Sequence, residues 1–139
     1  MNTQRIGNVA PIAFSGQGAN LGTSSLSVIT YDTATTNTEE VLNLNNGVFT
    51  APRRGIYALS ISLFLKRQIP GGYSGYFRGH VYKNGAQIYQ LIDTISRYNG
   101  HNFAFFWMEI LEAGDTIKIA GESVKSGSGN LNVFSGFLL

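Results

Sequence analysis

Catalysis by this chain would have to be built from two histidines, His80 and His101, eight Asp and Glu side chains and a supply of hydroxyls, because the sequence holds no cysteine. A hydrolase needs a nucleophile with a base in hydrogen-bond reach, and no motif sets a Ser or an Asp beside either histidine. Two histidines with no cysteine and no paired acids nearby also make a poor transition-metal set. Glycoside chemistry would need two facing carboxylates. The acids fall instead as Glu39-Glu40, neighbours in a polar segment, and as Glu109, Glu112 and Asp115 around the end of one predicted strand. Asp115 reads as a turn residue that bonds its own backbone. Gly16-Gln-Gly18 with Gly22 imitates a dinucleotide fingerprint, but the spacing is wrong and no strand–helix context surrounds it. No enzymatic activity is expected.

What remains is side chains suited to binding. Tyr73, Tyr76 and Tyr98, with the cations Arg53, Arg54, Lys66 and Arg67, fall in or beside predicted loops. Tyr and Arg are the types that binding surfaces favour, and the alternative for all seven is an ordinary solvated surface. A net charge of +2 over 139 residues is far from the dense basic stripe of a nucleic-acid binder. No apolar run approaches the roughly 20 residues that cross a bilayer, so no membrane insertion is expected. Met1 to Ile6 carries no apolar core of the kind a signal peptide needs.

The elements that must position these residues are strands. Abundant Gly, Asn, Ser and Thr with few charges is the profile of a turn-rich all-β protein, and 139 residues make one domain with a real core. The centre is Ile56 to Phe64, where Tyr57, Leu59, Ile61 and Leu63 point one way and Ala58, Ser60, Ser62 and Phe64 the other. Further strands are predicted over Ala10 to Ser15, Leu26 to Tyr31, Val41 to Leu44, Val48 to Thr50, Thr116 to Ala120 and Leu131 to Leu139. Tyr76 to Lys83 and Ala86 to Thr94 form a hairpin across Asn84-Gly85. Asp32 to Glu40 reads as a Thr-rich loop, and Met1 to Val9 as a polar arm or connector ahead of a domain over 10–139. Asn102 to Leu111 carries Phe103, Phe105 and Trp107 on one face and Phe106, Met108 and Ile110 on the other. A sandwich strand with one wet face should alternate apolar and polar, so this one predicts burial on both sides and hence an oligomer. The competing explanation is a loop of the same chain covering it.

Tyr31, Asn37, Leu42, Phe49, Gly55 and Tyr57 keep the intervals of five, four, six, five and one intervening residues. In this the chain resembles the complement component 1q globular head, a member of the tumour necrosis factor jelly-roll superfamily. Tyr31 stands where Phe is usual, and Leu59 and Ile61 replace aromatics, swaps that keep bulk and apolarity. Lys83-Asn84-Gly85 and the ending Val133 to Leu139 also agree. The resemblance implies an all-β, two-sheet antiparallel jelly-roll sandwich that forms a homotrimer, with the last strand beside the first near the threefold axis. Phe134 and Phe137 then lie on opposite faces, one for the core and one for the interface.

On that basis Tyr57, Phe103, Phe105, Trp107, Phe134 and Phe137 are expected to be shared between trimer interface and sandwich core. Arg53, Arg54, Arg67, Tyr73, Tyr76 and Tyr98 are the candidate ligand contacts. No cofactor is expected. Calcium, which several such heads hold in loops, would have Asp32, Asp93 and Glu122, but these form no run of spaced oxygen ligands. The resulting expectation is a trimeric, non-enzymatic binding or adhesion head recognising a protein or glycan ligand. Its expected place is extracellular or on a particle surface: a virion, a spore or a bacterial cell. The alternative is a structural trimeriser or capsid decoration that recognises nothing.

Overall fold

A computed structural model describes residues 11–20, 26–65, 75–95, 101–123 and 132–139, and for residues 65, 75, 76, 93–95, 101 and 123 it describes the backbone alone. Their strands are β1 (Ala13–Gln17), β2 (Ser27–Val28), β3 (Thr33–Asn37), β4 (Leu42–Asn43), β5 (Val48–Thr50) and β6 (Gly55–Leu65). Then come β7 (Gly75–Lys83), β8 (Ala86–Ile95), β9 (His101–Leu111), β10 (Thr116–Ser123) and β11 (Val133–Leu138). One sheet runs β3-β1-β11-β6-β9 and the other β4-β5-β10-β7-β8, with β2 also on β10. Every pairing is antiparallel. This is the two-sheet jelly roll expected.

β6 lies inside the first sheet, between β11 and β9. Its period of two puts Tyr57, Leu59, Ile61 and Leu63 into the core, fully buried, while Ser60 turns outward to meet Ser135 of β11, hydroxyl to hydroxyl at 3.0 Å. Asn84 and Gly85 both take positive φ, 52° and 82°, as a two-residue hairpin turn between twisted strands requires.

The spaced residues of the sequence pattern meet in space. Phe49 stacks on Phe14 at 4.7 Å and meets Tyr57 edge-on at 5.5 Å, while Tyr31 reaches Phe134 at 5.8 Å. Asn37 clamps Leu42 with both ends of its carboxamide, donating to the Leu42 carbonyl at 2.9 Å and accepting its N–H at 3.0 Å. A side chain at Gly55 would strike Leu138. Each buried aromatic of this core contributes about 1.5–3 kcal/mol relative to exposure.

Several boundaries differ from the sequence reading. Thr33–Asn37, read as loop, is the edge strand β3: its threonines suit a pleated ribbon, and β1 supplies the hydrogen bonds. Thr38–Glu40 is then a tight turn closed by the Val41 N–H on the Thr38 carbonyl at 3.2 Å, with Glu39 and Glu40 at positive φ. β1 sits further along the chain than Ala10 to Ser15, β2 shrinks to two residues, and β10 runs on to Ser123 because β7 pairs with it throughout. The arm over 1–9 lies outside the described residues.

Candidate assembly and ligand-binding surfaces

β9 ends the first sheet, and both of its faces are apolar. Trp107 is 5% exposed and Leu111 fully buried, whereas the alternate residues Phe106, Met108 and Ile110 are 61%, 57% and 62% exposed. The register against β6 explains the sorting. Trp107 stands opposite Leu59 and Phe105 opposite Ile61, both core residues; Met108 stands opposite Ala58 and Ile110 opposite Ile56. On the far side of β6, Ala58 meets Phe137, and the Leu139 N–H bonds the Ile56 carbonyl at 2.9 Å. Ile56, Phe106, Met108, Ile110, Phe137 and Leu139 therefore form one apolar surface across three strands, around the small Ala58. Isolated soluble domains rarely leave so large a continuous patch to water.

The second apolar feature is the open side of the sandwich, where β8 and β9 end their two sheets. Phe105 stacks on Trp107 at 5.2 Å, and Tyr89 meets them at 5.3 and 6.1 Å. Phe103 and Phe105 are only partly buried there. Of the six residues expected to divide between interface and core, Tyr57, Trp107 and Phe134 are core, Phe103 and Phe105 line the open side, and Phe137 faces out, 49% exposed. Phe134 and Phe137 do lie on opposite faces. The outward residues of β9, together with Ile56 and Leu139, were missing from that set; pairing β9 against the alternation of β6 would have found them.

The basic turn before β6 is less free than its sequence suggests. Arg53 Nη2 lies 3.1 Å from Glu39 Oε2, and Arg54 Nε lies 3.3 Å from Glu112 Oε2. The Arg53 carbonyl accepts the Tyr57 hydroxyl at 2.6 Å. Arg67, Tyr73 and Tyr98 lie outside the described residues, and Tyr76 is described only as a backbone position of β7 opposite Thr94.

The C1q domain pattern matches residues 13–139. The chain belongs to the C1q domain family. The globular domain of zebrafish complement 1qA protein superposes with a TM-score of 0.68 at 17% identity, covering 94% of this chain and 98% of that one. No curated protein sequence matches. C1q domains are in general trimeric recognition heads, typically extracellular, that bind rather than catalyse. Among the described residues no helix is long and apolar enough to cross a membrane.

In this C1q domain His80, Asp32, Glu122 and Asp115, weighed above for chemistry, are engaged in structure, and the side chain of His101 is not described. His80 Nδ1 lies 3.2 Å from the Tyr82 hydroxyl on the outer face of the second sheet, with Lys118 above the Tyr82 ring. Of the calcium candidates, Asp32 accepts from Asn20 Nδ2 at 3.0 Å and Glu122 pairs with Arg78 at 3.0 Å; the side chain of Asp93 is not described. Asp115 is a turn residue, as its sequence suggests. It accepts the Glu112 N–H at 2.9 Å and Asn84 Nδ2 at 3.0 Å, and these bonds, the backbone one foremost, hold its carboxyl below the usual carboxylate range.

Proposed function

We propose that the chain is a homotrimeric, non-enzymatic binding head whose protomers associate through β9. The observation that carries this reading is that one strand bears two different apolar surfaces: the Phe106–Met108–Ile110 face and, on its other side, the Tyr89–Phe105–Trp107 edge. Two unlike surfaces favour a heterologous contact, in which the edge of one protomer covers the face of the next, and such contacts close into rings. Three copies, as in C1q domains generally, close the ring with every patch covered. Loops then point away from the axis to meet a protein or glycan ligand. A place on a bacterial cell, spore or phage particle belongs to the same proposal; the cysteine-free chain would need no oxidative bridging there.

Light scattering on a sizing column at low micromolar concentration tests the assembly. The expected mass is three times the 15.1 kDa chain; a clean monomer would sink the trimer. A glycan and cell-surface array then tests the head. Specific capture supports it, while uniform silence together with tight binding to a viral or spore shell assigns the chain a purely structural, decorating role.

A further inference from the structure

At the β3–β4 side of the sandwich, remote from the β8–β9 side, an open cleft of about 370 Å³ is lined by Asn37, Glu40, Leu42, Asn43, Leu44 and Asn45. That volume lies in the range of roughly 300–1,000 Å³ typical of small-molecule sites. Glu39 and Glu40 both hold left-handed backbone conformations, φ 53° and 54°, which non-glycine residues adopt only where the surroundings impose them. The turn sends the two carboxylates to different fates. Glu39 pairs with Arg53, while Glu40 makes no hydrogen bond or ion pair among the described residues and lines the cleft.

The other walls are rigid. Asn37 is fixed by its two bonds to Leu42, and Asn43 Oδ1 accepts the N–H groups of Asn45 and Asn46 at 2.9 and 3.3 Å. These bonds leave the Asn43 amide nitrogen and the whole Asn45 carboxamide unused among the described residues. Leu42, buried, and Leu44, half-buried, give an apolar floor. Among the described residues the lining holds no cation to receive an acidic ligand and only one carboxylate, too few to hold a metal. A carboxylate acceptor beside carboxamides that both donate and accept, over an aliphatic floor, matches a ligand whose hydroxyls donate and accept on an aliphatic ring.

We propose that this cleft binds a neutral, hydroxyl-rich ligand, the terminal pyranose of a surface glycan, with Glu40, Asn43 and Asn45 as its polar contacts. The proposal deepens the binding-head reading and rests on it. Assembly through β9 leaves the cleft open, because β3 and β4 end the opposite side of each sheet.

The test follows the side-chain amide signals of Asn43 and Asn45 by NMR in the intact assembly, titrated with the methyl glycosides of glucose, galactose, mannose and N-acetylglucosamine. Nα-acetyl-lysine amide, a monocation at neutral pH, serves as the cationic comparison. Both amide signals are expected to move with at least one glycoside, with affinity falling about tenfold in Glu40→Gln, as for loss of a charge-assisted hydrogen bond, and falling also in Asn45→Ala. Silence with all four glycosides, an unchanged response in both variants, or a response to the lysine amide alone overturns it. If the array of the preceding section still captures ligand in Glu40→Gln while the cleft is silent, the head reading stands and this site falls. If the array is silent and the cleft titrates, the site stands and the head reading is the one to revise.

Discussion

Trp107 and Met108 are consecutive residues of β9 with opposite surroundings: the indole closes the sandwich core, and the thioether lies on the outer face opposite Ala58. Substitutions at the two positions therefore act on different equilibria. Met108→Glu is expected to leave the Tm of the protomer within a few degrees of its parent value and to reduce the solution mass from three chains to one. It places a charge where an apolar neighbour must dock. A variant that stays trimeric would show that the face is covered by something other than a second copy.

Trp107 makes the complementary case. Its Nε1–H is buried without an acceptor among the described residues, so the ring stabilises by packing while its polar atom costs about 1–3 kcal/mol. Trp107→Phe removes that donor and keeps an aromatic against Phe105, so urea unfolding should place it within about 1 kcal/mol of the parent. Trp107→Ala leaves a cavity and should cost about 3–5 kcal/mol. Equal losses in both variants would mean that the indole N–H is satisfied in solution.

Much of this architecture is legible in the chain because β6 and its partner β11 are interior strands. The alternation from Tyr57 to Leu63 records one buried face and one lined by small residues. Asn84-Gly85 is legible for a different reason, a backbone conformation that few residue pairs accept. β3 was missed because an edge strand of Thr and Asn buries too little to leave an apolar period. The two faces of β9 are legible as Phe103, Phe105, Trp107 against Phe106, Met108, Ile110, but which of them is core is not, because both sets are apolar; the register against β6 decides it. The Glu40 cleft was illegible because nothing in Thr-Glu-Glu announces left-handed φ.

The Asn84–Asp115 pair joins the β7–β8 hairpin to the turn before β10, since Asn84 also accepts the Thr116 N–H at 2.9 Å. The native carboxyl of Asp115 titrates below its unfolded value, so its stabilisation is complete above about pH 4 and is lost as pH falls through the lower native value. Asp115→Asn should accordingly lower Tm at neutral pH and flatten the loss of Tm on acidification below pH 4. A parallel pair of Tm-against-pH curves would remove Asp115 as a source of acid sensitivity.

Gly136 and Gly47 make close approaches in the core and at its rim. A methyl at Gly136 would lie 2.6 Å from Leu59 Cδ2 and 2.7 Å from the Phe14 ring, with core on both sides. Gly136→Ala should cost about 1–3 kcal/mol as overpacking. Gly47, at φ 74°, faces the Ile29 carbonyl directly, so Gly47→Ala meets backbone and an unfavourable φ together and should cost more. The two variants in chemical denaturation check the ranking; the reverse order would mean that the β4–β5 turn yields more readily than the core.

Glu40 links strain to the cleft. With φ at 54°, Glu40→Gly exchanges a backbone that resists the left-handed region for one that accepts it, against the greater freedom of glycine in the unfolded chain. No bond of the Glu40 side chain is lost among the described residues, so the net expectation is a gain of about 0.5–1 kcal/mol in stability. The same change removes the carboxylate from the cleft, so glycoside binding there should vanish as Tm rises. Calorimetry of Glu40→Gly beside Glu40→Gln separates the two effects: only the glycine variant gains stability, and both lose affinity. If neither is stabilised, the left-handed turn carries no strain, and the reason for placing a glutamate there must be sought in the ligand alone.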